Sequence, residues 1–364
     1  MRVGINAALR GTGGGYRQTG VSRYLTELIA ALPQAMTSND ELALFGASSP
    51  RLSGSPPSRI VWEQTVLPIL AARRRVDVLH GPVNVVPWLG RVPSVVTLHD
   101  FAFLHYPEHL SAQRRAWLVS ATQRSARKAA RVITVSQSTA DDLSAWLELP
   151  AERIAVIPLA PSPSVAPLRD DALAEFCRRQ GIDRPFVLAV GTLEPRKNLP
   201  TLLRAFARVA RELPHDLVLV GPEGWLSDEL HRTIGDVRLG DRLRMTGFVS
   251  DADLGGWYSA ADLFAFPSYY EGFGLPSLEA MRCGVPVVAS DSSCFPEIVG
   301  DAGVLLDPRD IDGWAEALVT LLRDPARRAE LARRGRARAA GFTWSRTAAE
   351  TYAVYRSAAD TPRP

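Results

Sequence analysis

Short, continuous apolar runs recur along the whole chain, and a stretch of helical periodicity follows each one. Val76–His80, Ser94–His99 and Arg131–Val135 are such runs in the first half, and Phe186–Val190, Asp216–Val220 and Val285–Ala289 in the second. Helical patterns fill the intervals, as in Val21–Leu32, Ser111–Ala130, Leu199–Glu212 and Ala326–Ala340. Strands that are apolar at every position, rather than at every second one, are buried on both faces. That is the habit of parallel sheets covered by helices. The predicted class is therefore α/β, built as two Rossmann-like doubly wound domains facing a cleft. The length agrees, because 364 residues exceed the span of about 250–300 at which a single core stops growing. The run Pro158–Pro167 carries four prolines, cannot be helical, and reads as a stiff linker near residue 165. Charge divides there too: residues 1–165 hold 17 basic and 11 acidic side chains, the remainder 25 and 28.

Composition removes several classes. Hydrophobic residues at 46% and charged residues at 22% exclude a disordered or collagen-like chain. Cys177, Cys283 and Cys294 make neither a disulfide framework nor a zinc-binding spacing, and read as reduced, buried thiols. No run is long and apolar enough to span a bilayer, and Met1–Asn6 enters directly as a strand without a signal core. The expected location is cytoplasmic. Of 42 basic residues only Lys128 and Lys197 are lysines, so each lysine draws notice.

Ligands in open parallel sheets sit beyond the carboxyl ends of the strands, so the loops there carry the candidates. Gly11–Val21, between the first strand and the first helix, is rich in glycine. Such a loop lets backbone N–H groups approach a phosphate, although plain flexibility is the alternative. His99 ends a strand, where it suits a substrate hydroxyl or a helix cap. Gly191–Asn198 places Arg196 and Lys197 together at an expected helix start. The helix dipole disfavours cations there, and an anionic ligand such as a diphosphate would remove the conflict. In Phe266–Pro286, Glu271 occupies a glycine-containing turn and Glu279 lies eight positions on, inside a helix. The backbone near Gly274 and Leu275 suits a phosphate. Glu279 suits a ribose diol, and Glu271 a sugar, with helix capping as its plain alternative. Thr246–Val249 follows another strand and offers backbone groups to a base.

These runs together resemble the family 4 retaining glycosyltransferases, the group-1 type enzymes of GT-B fold. Gly191-Thr-Leu-Glu-Pro-Arg-Lys-Asn198, Tyr270-Glu-Gly-Phe-Gly-Leu-Pro276 with Glu279-Ala280, and Gly284-Val-Pro-Val-Val-Ala-Ser290 carry the likeness. It is strong over residues 186–310 and looser in the first 165. The resemblance implies a nucleotide diphosphosugar donor, retention of anomeric configuration, and no cofactor or obligatory metal. It gives ribose to Glu279, the donor sugar to Glu271 and His99, and the diphosphate to Lys197 with Arg196. Donor contacts come from Gly20, Val249, Gly272, Phe273, Gly274 and Leu275. Two positions depart from the family pattern: Thr192 stands where many members have Arg, and Val21-Ser22 follows Gly20 where a further glycine is common. The likeness makes residues 1–165 the acceptor-side domain and 166–342 the nucleotide-sugar domain. It also implies that 343–364, opening with Thr343-Trp344-Ser345, crosses back to the first. The pattern around His99–Pro107 is similar to mannosyl- and rhamnosyl-type members of polysaccharide pathways. A GDP-mannose-like donor is therefore the first expectation, with dTDP- or UDP-sugars next.

Arg114, Arg115, Arg124, Arg127, Lys128 and Arg131 cluster in residues 111–131 without an acidic neighbour. A basic helix of this kind suits an anionic membrane surface and, with it, a peripheral site on the inner face and a lipid-linked acceptor; a saccharide acceptor and a solvated face are the alternatives. The patch lacks the interleaved aromatics of a nucleic-acid surface. Asp251-Ala-Asp253 and Asp310-Ile-Asp312 read as helix caps rather than metal ligands. Competing readings of the chain are an epimerase or phosphorylase on the same architecture, a glycosyltransferase of small natural products, and a non-catalytic nucleotide-sugar scaffold. The scaffold is disfavoured by the presence of all four of Arg196, Lys197, Glu271 and Glu279.

Overall fold

The computed structural model describes residues 1–10, 20–47, 56–224 and 227–361. The chain divides into two compact units, Met1–Leu159 with Thr343–Pro364, and Ala160–Phe342. The first division falls inside the proline-rich run. That run is packed as well as stiff: Leu159, Ala160, Ser162 and Val165 are buried. The Ser162 carbonyl accepts a hydrogen bond from Arg282 at 3.0 Å, so the prolines stiffen a segment that is itself packed.

The first unit contains strands β1 (Arg2–Asn6), β2 (Glu41–Phe45), β3 (Val78–Gly81), β4 (Ser94–Leu98), β5 (Arg131–Thr134) and β6 (Ile154–Val156). They form one parallel sheet in the order β2-β1-β3-β4-β5-β6. Val3, Ile5, Val95, Val96, Leu98 and Val132 have essentially no exposure, as unbroken apolar strands require. Helix Trp344–Ala359 belongs to this unit and packs on helix Gly20–Ala35. A buried polar chain fixes it there. Tyr355 Oη lies 2.7 Å from His80 Nδ1, His80 Nε2 lies 2.8 Å from Thr97 Oγ1, and Tyr24 Oη lies 3.0 Å from the same Thr97 oxygen. Burial, with a smaller push from His99, lowers the His80 pKa to about 3, so the ring is neutral.

The second unit contains β7 (Phe186–Val190), β8 (Asp216–Val220), β9 (Leu243–Gly247), β10 (Leu263–Phe266), β11 (Val287–Ser290) and β12 (Gly303–Leu306). They pair in parallel in the order β12-β11-β10-β7-β8-β9. The chain leaves β7 in one direction for β8 and β9, then returns past it to β10. The order therefore reverses between β7 and β10, and the loops after those two strands flank the crevice where ligands bind in this architecture. Helices Leu199–Val209 and Ile311–Arg323 pack together over one face of the sheet through Leu202, Leu203, Phe206, Trp314 and Leu318. This core anchors the base of both loops.

Candidate active site

Each loop is held by a specific device. After β7, Gly191 has φ +147°, and a Cβ there would meet Lys197 Cε at 3.2 Å. The absent side chain leaves the space that the lysine stem occupies. The chain then makes a tight turn over Pro195–Lys197 and enters helix Leu199–Val209 through Asn198 in a left-handed conformation, φ +51°. Asn198 Nδ2 donates to the carbonyls of Pro267 at 3.0 Å and Pro308 at 2.6 Å. One buried amide thus ties the loop after β7 to the loop after β10. After β10, Gly274 has φ +77° and a Cβ would stand 3.2 Å from Phe295 Cε1. Glycine answers both demands and starts helix Leu275–Cys283.

The two loops bring four charged side chains together. Glu271 Oε1 accepts from Lys197 Nζ at 2.5 Å, and Glu271 Oε2 accepts from Arg196 Nη1 at 3.0 Å. Arg196 Nη1 also donates to the Tyr270 carbonyl at 2.9 Å, and its Nη2 donates to Glu194 Oε1 at 2.7 Å. Lys197 Nζ lies 5.0 Å from the centre of the Phe266 ring. The Glu271 amide donates to Ser293 Oγ at 3.0 Å, which pins its backbone. Burial pushes the Glu271 carboxyl upward, but Arg196 and then Lys197 outweigh it and hold its pKa below the ordinary value. Glu271 is thus an anion with one cation on each oxygen.

The expected clash between these cations and a helix dipole is removed by position. Arg196 and Lys197 precede the helix, which begins at Leu199, and carboxylates balance them. Three contributors were not legible in advance. Glu194 stands in the quoted run without an assigned role. Asn198 works through contacts distant in sequence. Tyr258 donates from a neighbouring helix to Glu279 Oε2 at 3.2 Å. Glu279 itself is 1% exposed, on the first turns of helix Leu275–Cys283, so its carboxylate is held in a fixed orientation. Gly272 and Phe273 are buried in the turn between Glu271 and that helix. Val249 is half-buried just after the edge strand β9, next to the exposed Phe248.

His99 and Gly20 belong to the first unit. Gly20 is the exposed first residue of helix Gly20–Ala35, while Gly11–Thr19 of the glycine-rich loop lies outside the described residues. His99 Nε2 lies 2.8 Å from the Pro82 carbonyl, and its ring packs edge-on against Tyr24 with centroids 4.8 Å apart. A carbonyl only accepts, so Nε2 carries the proton and Nδ1 remains an acceptor. Burial lowers the His99 pKa, so the ring serves as a neutral hydrogen-bond partner rather than as a cation.

In the basic stretch the helix ends at Lys128 and Arg131 opens β5, as the strand pattern from Arg131 predicts. Arg124 stacks on the Trp88 ring at 5.0 Å and Trp88 packs on Trp117 at 5.8 Å, so the patch includes aromatics. Asp253 pairs with Arg179, and its amide is capped by Ser250 at 3.2 Å; Asp310 caps the Gly313 amide at 2.9 Å.

Comparison with known proteins adds an independent line. A model of the group 1 glycosyl transferases matches residues 176–338, and a model of glycosyltransferase family 4 matches residues 19–161. The chain is 32% identical to the O-antigen chain mannosyltransferase B of Escherichia coli over 94% of its own length and 97% of that protein. It is also 32% identical to the MMP alpha-(1->4)-mannosyltransferase of Mycolicibacterium hassiacum, over 80% of its length and 73% of that protein. Among solved structures, sucrose-phosphate synthase of Thermosynechococcus elongatus superposes with TM-score 0.77 at 22% identity, covering 98% of both chains. HepE of Anabaena, solved with UDP and glucose, superposes with TM-score 0.74 at 22% identity, covering 97% of this chain and 98% of that one.

Proposed function

Because the chain belongs to the family 4, group 1 glycosyltransferases, we propose that it moves a mannose-type hexose from a nucleotide diphosphosugar to an acceptor hydroxyl, in assembly of a cell-surface polysaccharide or glycolipid. The cluster of Arg196, Lys197, Glu271 and Glu194 at the reversal between β7 and β10 carries this reading. Breaking the anomeric bond leaves negative charge on a diphosphate and positive character on the sugar ring. Arg196 and Lys197 oppose the first, in a largely buried setting where fixed charges act strongly. The backbone amides at the start of helix Leu275–Cys283 add their dipole. Glu279 receives the ribose hydroxyls, and Glu271 receives a sugar hydroxyl. Val249, Gly272 and Phe273 line the donor, with Gly20 near the diphosphate. His99, through Nδ1, accepts from a sugar hydroxyl. The reaction retains anomeric configuration, with the leaving phosphate taking the acceptor proton, and the two cations remove the need for a metal.

GDP-mannose is the first donor to test. The mannosyltransferase relatives support the sugar, and the UDP-bound HepE structure keeps UDP-sugars in the panel. A thermal-shift panel of GDP, UDP, dTDP and ADP selects the base, followed by transfer from the matching nucleotide sugar. Stabilisation by none of the four refutes the reading. The acceptor is lipid-linked or saccharide. In the first unit, Leu89 is 77% exposed beside Trp88, and the exposed Arg114, Arg115 and Arg127 share the Trp117 helix. Apolar tips among arginines suit the anionic inner face of a membrane. Among the described residues no helix is long and apolar enough to cross one. Co-sedimentation with phosphatidylglycerol vesicles, and its absence with phosphatidylcholine, tests that part.

A further inference from the structure

The four charges at the β7–β10 reversal cancel: Arg196 and Lys197 are two cations, Glu194 and Glu271 two anions. A diphosphate brings at least two further negative charges. A neutral cluster offers it no net attraction, and Glu271 stands against the same N–H groups a phosphoryl oxygen needs. Both Glu271 oxygens are engaged, one at 2.5 Å from Lys197 and the other at 3.0 Å from Arg196. The carboxylate thus holds the cations as two phosphoryl oxygens would. Its backbone is pinned by Ser293, so release of the cations requires the side chain to turn.

We propose that Glu271 is an internal competitor for the diphosphate, and that it sets the preference of the site for donor over spent nucleotide. The inference rests on the nucleotide-sugar reading above. When a nucleotide sugar binds, Arg196 and Lys197 pass from Glu271 to the diphosphate. The displaced carboxylate then finds a new partner in a sugar hydroxyl, so the loss is compensated. When a nucleoside diphosphate is left without its sugar, Glu271 has no such partner. It returns to the cations and drives the product off. Glu194 does not compete in this way, because it holds only Arg196, through Nη2, and leaves Nη1 and Lys197 to Glu271.

The test is calorimetric titration of GDP, UDP and dTDP, and of GDP-mannose, UDP-glucose and dTDP-rhamnose, into the wild type, Glu271→Gln and Glu279→Gln. Glutamine keeps the shape of Glu271 and removes the charge. The expected result is tenfold or tighter binding of the free nucleoside diphosphate to Glu271→Gln, little gain for the intact nucleotide sugar, and stronger product inhibition. Glu279→Gln is expected to weaken both ligand types. Glu271→Ala is a second variant in which the competitor is removed outright, and it is expected to tighten the product likewise. Unchanged or weaker product binding in both Glu271 variants, with normal binding to the wild type, overturns the inference alone. If no nucleotide or nucleotide sugar binds any of the proteins, the nucleotide-sugar reading falls and this inference with it.

Discussion

Replacing Lys197 by methionine probes the leaving-group assignment with little change of shape. The lysine stem threads past Gly191, where even a Cβ would stand 3.2 Å from Cε, and its ammonium sits between Glu271 and the Phe266 ring. Methionine fills the stem and deletes the charge. Two effects follow. In stability, Glu271 keeps only Arg196 of its two cations, and loss of one buried charge-assisted hydrogen bond costs about 1.5–3 kcal/mol. For a domain of this size that lowers the midpoint by about 2–4 °C per kcal/mol. In turnover, removal of one preorganised donor facing developing negative charge costs about 10²–10³ in kcat. The assay is transfer from the nucleotide sugar under saturating donor, with thermal unfolding in parallel. Lys197→Arg is not expected to rescue, because a planar guanidinium does not reproduce the contacts of the compact ammonium with Glu271 and the Phe266 ring. A Lys197→Met protein within threefold of wild-type kcat would refute the reasoning.

Gly274→Ala forces a side chain into φ +77° and toward Phe295. The left-handed geometry alone costs about 1–2 kcal/mol, so unfolding is expected several degrees lower and nucleotide affinity reduced. Glu279→Ala, which removes the carboxylate that Tyr258 Oη donates to, is expected to weaken nucleoside diphosphate binding without weakening inorganic pyrophosphate binding. Equal loss for both ligands would contradict the ribose role. In urea unfolding, His80 and His99 are neutral in the folded protein and titrate near the ordinary histidine value once unfolded. Below about pH 6.5 the unfolded chain therefore takes up protons that the folded chain refuses. Their contribution is full well above that pH, and stability is expected to fall from pH 6.5 to pH 5; a flat midpoint over that window contradicts their burial.

The strands were legible because burial on both faces leaves no polar alternation, as in Phe186–Val190. The cation pair was legible because two like charges beside an expected helix start are costly. What restores the balance there was not. Glu271 reaches Lys197 only because β10 returns beside β7, and a crossover leaves no trace in local periodicity. Asn198 stands at the end of the cation run with no role assigned from the sequence, yet its amide spans two loops distant in sequence. The proline run shows the converse limit: proline restricts the backbone, but whether the stiffened segment is exposed depends on neighbours such as Arg282. His99 stood out by its place after a strand, while its tautomer followed only from the Pro82 carbonyl.

The most direct test of the central claim is single-turnover cleavage of the nucleotide sugar by the Arg196→Ala, Lys197→Ala double variant, checked for native folding by circular dichroism. Folded protein with no detectable cleavage is expected, since both groups that oppose the leaving diphosphate are gone. Folded protein that cleaves the donor at the wild-type rate would contradict it.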